Sequence, residues 1–309
     1  MINSVTVTNY LNESITMELR HPEKTGLNIK DITGLSPSSA DINYTEIASS
    51  DGGEYNSSRL SVRNIVFTIG FYECKVCPSI EDARQLTYKY FPLKKPLTIT
   101  VETDNRVSRC IGYVESNEAD IFSDSEEADI SVICPDPYMY SLSDGGIATV
   151  QFNGVEDLFE FPFSSETANG SPNDIEFGRI VDREEVNVLY EGDADIGFLL
   201  KFHFIGEARQ IRIYNTITRE TMRIDTDRLA QIVGSGIQNG DDITISTVEG
   251  DKRITLLRNG EETNILNALD RNTDWFLLTK GDNMFAYTAE YGSENIQLSF
   301  QYQTRFMGV

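Results

Sequence analysis

The sequence predicts a mainly β protein of two domains. The first is an α+β domain with a β-sandwich or hairpin framework and one inserted helix; the second is a β-sandwich. Three observations predict this. Apolar residues recur at every second position through much of the chain, as in Ile65, Phe67, Ile69 and Phe71 or Ile296, Leu298 and Phe300, the period of strands with one face buried. From Ile80 through Ala83 and Leu86 to Tyr90 the spacing becomes every third or fourth residue, the period of a helix face. The chain of 309 residues exceeds most single cores, and its pattern breaks after Tyr140 at SLSDGG, which sets the domains at 1–142 and 143–309.

Along the first domain, Val5 with Val7, and Ile15 with Met17 and Leu19, alternate as two short strands joined through Asn9 to Glu13. A strand containing Ile29, Ile32 and Leu35, a turn at Ser36-Pro37, and a strand through Ile42 and Tyr44 follow. Ser49 to Ser58 has no apolar period and is rich in Gly, Ser and Asp, so it is predicted as a mobile loop. Ser58 to Tyr140 is the stretch that organises the domain. It opens with a strand to Phe71 and continues with a helix, for which Ser79 and Asp82 have the spacing of a reciprocal cap and Pro92 is the stop. A hairpin then runs from Leu97 through Asp104-Asn105 to Tyr113. Glu115 to Asp129 is a carboxylate run predicted as a solvated loop or exposed hairpin.

In the second domain, short strands at Ala148 to Phe152, Phe159 to Phe163, Ile180 to Tyr190, Phe198 to Phe204, Ile211 to Tyr214, Met222 to Ile224 and Ile296 to Phe300 are separated by turns, including a loop from Ser164 to Asn173. Such regular spacing is the mark of a sandwich. Asp227 to Val233 and Glu262 to Leu269 are each predicted to hold one or two helical turns.

Composition narrows the function. A formal net charge of −23 argues against a surface that grips nucleic-acid phosphates. Apolar runs fall well short of the roughly 20 residues of a membrane span, and the N-terminus lacks the basic start, apolar run and cleavage site of a signal peptide, so neither membrane insertion nor a leader is expected. Four cysteines (Cys74, Cys77, Cys110, Cys134) are too few for a disulfide framework and are predicted as buried thiols.

Chemistry-bearing motifs are sparse. His21 and His203 fall in different predicted domains, and alternation sets His203 opposite Phe202 and Phe204, on a solvent face. The Gly-rich run from Gly234 to Gly240 has the wrong spacing for a nucleotide loop and is predicted as a turn. Cys74 and Cys77 stand just before a helix, where a dipole stabilises a thiolate, but neither a parallel βαβ unit nor a second ligand pair accompanies them. No calcium-loop pattern occurs in the carboxylate run or at Asp193 to Asp195. No catalytic, metal-binding or cofactor-binding residue is assigned. Trp275, within Asp274-Trp275-Phe276-Leu277-Leu278, is predicted for the core, with contact to a glycan as the alternative.

The strand from Arg63 through Phe67, the short helix, the hairpin with Cys110-Ile111-Gly112-Tyr113-Val114, and Cys134-Pro135-Asp136-Pro137-Tyr138-Met139-Tyr140 together resemble the N-terminal domain of the distal tail proteins of long-tailed bacteriophages. Ile211 to Asp225, Asn239 to Ile243, Trp275 to Leu278, Gly281 to Asn283 and the final Gly308-Val309 resemble that family's C-terminal domain, a galectin- or carbohydrate-binding-module-like sandwich. The resemblance implies a non-enzymatic virion protein without cofactors, assembled in the host cytoplasm into a homo-hexameric ring at the tail tip. Its implied partners are the tail tube protein and the tail-tip hub or tail-associated lysin, with the tape measure protein and receptor-binding proteins as further ones. A ring interface is then expected on Arg59, Leu60, Val62, Arg63, Ile65, Phe67, Ile99, Arg106, Arg109 and Tyr113, through strand edges and apolar hairpin faces, with the loop near Ser49 to Ser58 as an interface arm. Acidic residues would face a lumen through which DNA passes. The alternative reading is a carbohydrate-binding adhesin or glycoside-active module centred on residues 146–309, with Trp275 as a glycan contact.

Overall fold

A computed structural model describes residues 1–46, 51–122, 125–142, 146–152, 154–157, 178–181 and 185–309. The chain forms two compact units, 1–146 with 305–309, and 147–304. Both are mainly β. No described helix is long and apolar enough to cross a membrane.

The first unit contains β1 (Ile2–Thr8), β2 (Ser14–Glu18), β3 (Leu27–Thr33), β4 (Ala40–Glu46), β5 (Gly53–Leu60), β6 (Arg63–Phe71), α1 (Ile80–Tyr90), β7 (Pro96–Thr103), β8 (Val107–Asp120), β9 (Glu127–Cys134) and β10 (Met139–Ser141). Its main sheet is antiparallel in the order β2-β1-β7-β8-β9-β6-β3, and β10 pairs with β8 and with a short strand, Arg305–Phe306, at the end of the chain. Alternation buries Val5, Val7, Met17, Ile65, Phe67, Ile69, Ile99, Val101, Ile130 and Val132 on one side. The helix forms where its local signals put it. Ser79 Oγ accepts from the Asp82 N–H and Asp82 accepts from the Ser79 N–H, which satisfies two free donors of the first turn. It buries Ala83 and Thr87, and Phe91 just beyond it meets Phe67 edge-to-face at 5.6 Å.

Two segments differ from expectation. Gly53–Leu60, predicted as loop up to Ser58, is a strand paired with Ala40–Glu46 in a separate two-stranded ribbon. With nearly every side chain of both strands exposed, there is no apolar alternation to betray a strand. The last five residues, expected in the second domain, belong to the first unit because Arg63 draws them in. Its side chain is 1 % exposed, and it donates from Nε to Pro137 O at 2.9 Å, from Nη1 to Ser36 O at 2.8 Å and to Gly34 O, and from Nη2 to Met307 O. Gly34 is obligatory there: its φ is +83°, and a Cβ would lie 1.8 Å from the Asn64 carbonyl oxygen.

The second unit contains β11 (Ala148–Gln151), β12 (Gly154–Asp157), β13 (Gly178–Val181), β14 (Glu185–Tyr190), β15 (Leu199–Phe204), β16 (Ile211–Asn215), β17 (Thr221–Ile224), α2 (Thr226–Val233), β18 (Asp242–Ser246), β19 (Arg253–Arg258), β20 (Glu261–Asn264), β21 (Gly281–Thr288) and β22 (Ile296–Tyr302); the terminal Arg305–Phe306 is β23. The alternation at Phe159 to Phe163 and the loop from Ser164 to Asn173 lie outside the described residues. Sheets β11-β22-β15-β18-β19-β20 and β14-β21-β16-β17 pack face to face, with Phe300 and Phe198 of one side 4.8 Å and 5.6 Å from Phe285 of the other. The sandwich expected from turn spacing is therefore present, its core aromatic. Glu261–Asn264, predicted to begin helical turns, extends β19 as a strand, and only Leu266–Ala268 makes a single 3-10 turn.

At α2, Asp225 caps the first turn by accepting from the N–H groups of Asp227 and Arg228, and Gly234 ends it in the left-handed conformation. Burial alone would raise the Asp225 pKa; hydrogen bonds from the Arg228 N–H, the Gln210 side chain and the Asp227 N–H outweigh it and hold the carboxyl below its ordinary value.

Replacing Arg63 with Met should strand buried carbonyls of three segments and destabilise the first unit by roughly 3 kcal/mol, with Lys intermediate because one ammonium cannot span four acceptors. Urea unfolding, together with hydrogen exchange at Leu35 and Val309, would read this. For α2, a depressed folded pKa means that the cap's contribution is complete above the unfolded carboxylate pKa of about 3.9 and is lost as pH falls through the folded value beneath it. The Asp227 and Arg228 amide shifts should titrate in that acidic window, whereas Asp225→Asn should remove the titration and keep the cap, and Asp225→Ala should cost about 1 kcal/mol at neutral pH.

Candidate functional site

The most unusual surface of the first unit is the β4–β5 ribbon. Among the described residues these strands pair only with each other, leaving both outer backbone edges free, and Ile42, Tyr44 and Tyr55 are 59 %, 60 % and 62 % exposed. Cross-strand polar contacts stiffen it: Asn43 donates to Ser57 at 3.2 Å, Asn56 to Thr45 at 2.8 Å, and Arg59 pairs with Asp41 at 3.3 Å. An isolated two-stranded ribbon with apolar side chains in water is marginal by itself and has open edges, the features of a segment completed by a neighbour.

The residues expected at a ring interface separate into two groups. Arg63, Ile65, Phe67 and Ile99 are 1 % exposed or less, inside the unit's own core. Their strands are also central: β6 lies between β9 and β3, and β7 between β1 and β8, so neither has a free edge. These four are corrected from interface to interior, because strand alternation puts the large apolar residues inward wherever both neighbours are present. Arg59 and Val62 are exposed, and Leu60 is partly so, at the base of the ribbon. On β8, Tyr113 is 45 % and its neighbour on that face, Ile111, 57 % exposed. Arg109 is half-buried, and the Arg106 guanidinium lies 4.4 Å from the Phe306 ring centre. Tyr55 falls in the segment expected as an interface arm and Ile111 in the hairpin expected at the ring, whereas Ile42 and Tyr44 were missed as candidates; their alternation was the available signal.

The carboxylate run is largely strand. β8 extends to Asp120 and β9 begins at Glu127, which leaves Glu115, Glu118, Asp120 and Asp129 on exposed positions. Among the described residues no group of three or more His, Cys, Asp and Glu is arranged to hold a metal. Cys77 is buried with its thiol donating to Thr25 O at 3.3 Å, and burial, reinforced by Cys74, raises its pKa, the opposite of an activated thiolate. Cys110 and Cys134 meet at 3.9 Å between Sγ atoms in the core, and contact with Cys134 together with burial raises the Cys110 pKa.

In the second unit His203 is on the solvent face of β15, as alternation predicted, with Nδ1 2.6 Å from Asp242. The run from Gly234 to Gly240 is a turn folded onto Arg258, whose guanidinium reaches Ser235, the Gly236 carbonyl and the buried Asp241. The hydrogen bond to Asp241 raises the Arg258 pKa further. Trp275 departs from the core expectation: Phe276 and Leu278 turn inward, while the indole is half-buried beside a cleft of about 600 Å³, with Lys252 Nζ 5.4 Å from its ring centre.

With this geometry in view, residues 191–306 match the family model of the siphovirus-type tail component, C-terminal domain. Among solved structures, the chain is similar to the crystallised Dit protein of phage SPP1, described as a paradigm of the hub adsorption apparatus in phages infecting Gram-positive hosts, with a TM-score of 0.63 at 13 % identity over 98 % of this chain and 99 % of that one. A chain of the phage P2 baseplate, solved in its activated conformation with calcium, aligns at a TM-score of 0.43 and 12 % identity over 97 % of this chain and 98 % of that one. No curated protein sequence matches. The family match covers the C-terminal part of the chain, residues 191–306, and the fold is shared along nearly the whole length with the SPP1 Dit protein.

Proposed function

We propose that the protein is a structural component of the phage virion that assembles as a hexameric ring at the distal end of the tail, joining the tail tube protein to the tail-tip hub and supporting host attachment. The observation that carries this is the β4–β5 ribbon, which has two unpaired edges and three large side chains in solvent. A strand edge of one subunit meeting the ribbon of the next satisfies its backbone groups, and burying Ile42, Tyr44 and Tyr55 contributes about 1.5–3 kcal/mol for each fully buried side chain. Arg59, Leu60 and Val62 at the ribbon's base and Ile111 and Tyr113 on β8 complete the proposed contact surface, and Arg106 and Arg109 flank it. By this reading the tail-associated lysin, the tape measure protein and receptor-binding proteins meet other faces of the ring, and the excess of carboxylates keeps DNA from adhering as it passes. The role requires no catalysis.

A second reading, a carbohydrate-binding module in residues 147–304, is favoured by a single observation, the half-buried indole of Trp275 at a cleft.

Mass photometry of the purified full chain, alone and with tube and hub proteins, should show a hexamer. Tyr44→Asp combined with Tyr55→Asp should leave the circular dichroism spectrum unchanged, because both residues are exposed in the subunit, while shifting the assembly to monomers. A wild-type chain that stays monomeric with both partners present would overturn the assignment, as would a double variant that assembles normally.

A further inference from the structure

The cleft beside Trp275 is lined by Arg228 of α2 and by Leu266, Asn267, Asp270, Arg271 and Trp275 of the segment after β20. Its charges are not equivalent. Arg228 is engaged, with Nε 3.3 Å from Asp225 and Nη1 donating to Leu269 O at 3.4 Å. Asp270 has Arg223 at 4.0 Å and accepts from the Asn272 N–H at 3.3 Å. Of the lining charges Arg271 remains, and outside the lining Lys252 holds its ammonium 5.4 Å from the indole ring centre; among the described residues neither has a carboxylate within ion-pair distance. In a chain with 49 acidic and 26 basic residues, two unneutralised cations beside the only tryptophan run against the background charge.

We propose that this cleft binds an anionic sugar: a pyranose ring carrying a phosphate or a carboxylate. The C–H face of the ring packs on the open part of the half-buried indole, and the anionic substituent lies between Arg271 and Lys252. The guanidinium presents a planar pair of donors matched to a phosphate or carboxylate, and the ammonium adds a point charge. Neutral sugars would occupy the indole but leave both cations unpaired. A nucleic-acid strand would bring many phosphates against two cations and a net charge of −23, so its binding is disfavoured. The site lies wholly within the second unit and does not rest on ring assembly.

Because Trp275 is the sole tryptophan, selective indole excitation of the full chain reports on this cleft alone. Titration with a hexose monophosphate and with glucuronate should give saturable changes, with glucose and inorganic phosphate as comparison probes. Both comparison probes should bind at least about tenfold more weakly, a charge-assisted hydrogen bond being worth roughly that factor. Arg271→Gln, at an exposed position and checked by an unchanged melting curve, should lose about the same factor for the charged sugars and leave glucose unaffected. Added salt should weaken the charged sugars first. A response to only one of the two supports the site and assigns its anion. Silence to both overturns the proposal, as does glucose binding equally well, an unaltered Arg271→Gln titration, or inorganic phosphate matching the hexose phosphate, which would show an adventitious ion only. Ligand-observed NMR on Trp275→Ala supplies a readout free of the fluorophore, and undiminished binding there would also refute the proposal.

Discussion

The first unit depends on one buried guanidinium whose donors go to backbone carbonyls. Arg63 gives four hydrogen bonds to carbonyls of Gly34, Ser36, Pro137 and Met307. Burial lowers its pKa while nearby Cys110, Cys134 and Asp136 oppose that shift. A charge placed there without partners would be far too costly, so the three segments must converge for the fold to exist. The convergence sets the path after β3, positions the Pro137 turn before β10, and brings the end of the chain back to the first unit, where the Val309 N–H donates to Leu35 O at 3.2 Å and the Arg305 guanidinium stacks on Tyr138 at 3.8 Å. The β4–β5 ribbon springs from between two of the elements so fixed, β3 and β6.

The second unit uses a similar device at smaller scale. Asp241, 1 % exposed, receives a fork of two donors from Arg258, which also gathers Ser235 and Gly236. A glycine-rich turn that would otherwise lie loose after α2 is thereby tied to β19. The aromatic cluster of Phe152, Phe198, Phe285 and Phe300 packs between the sheets, together with buried aliphatic residues such as Leu200, Ile213, Ile245 and Leu298.

Both proposed interaction surfaces arise from what these cores leave over. The ribbon is exposed because the main sheet is already complete without it, and among the described residues its strands find no partner other than each other. The Trp275 cleft exists because Phe276 and Leu278 occupy the inward positions of that segment, which turns the indole aside toward Arg271 and Lys252.

Those are also the features that a sequence conceals. The capped helix Ile80–Tyr90, the hairpin from Pro96 to Tyr113, the alternating strands of the sandwich and the solvent-facing His203 were legible because each depends on residues within a few positions of one another: a period, a cap, a turn. Gly53–Leu60 was not, since a strand wet on both faces has no period to display. Ile65, Phe67 and Ile99 were legible as strand residues, but whether those strands were edges or centres depended on partners tens of residues away. The sequence by itself determined the capped helix and those strands whose apolar residues alternate, with the face of each that is apolar; only the tertiary structure decided that Gly53–Leu60 and Glu261–Asn264 are strands, which edges stay open and where the last residues pack, because those are set by long-range pairing around Arg63 and by the packing of two aromatic sheet faces.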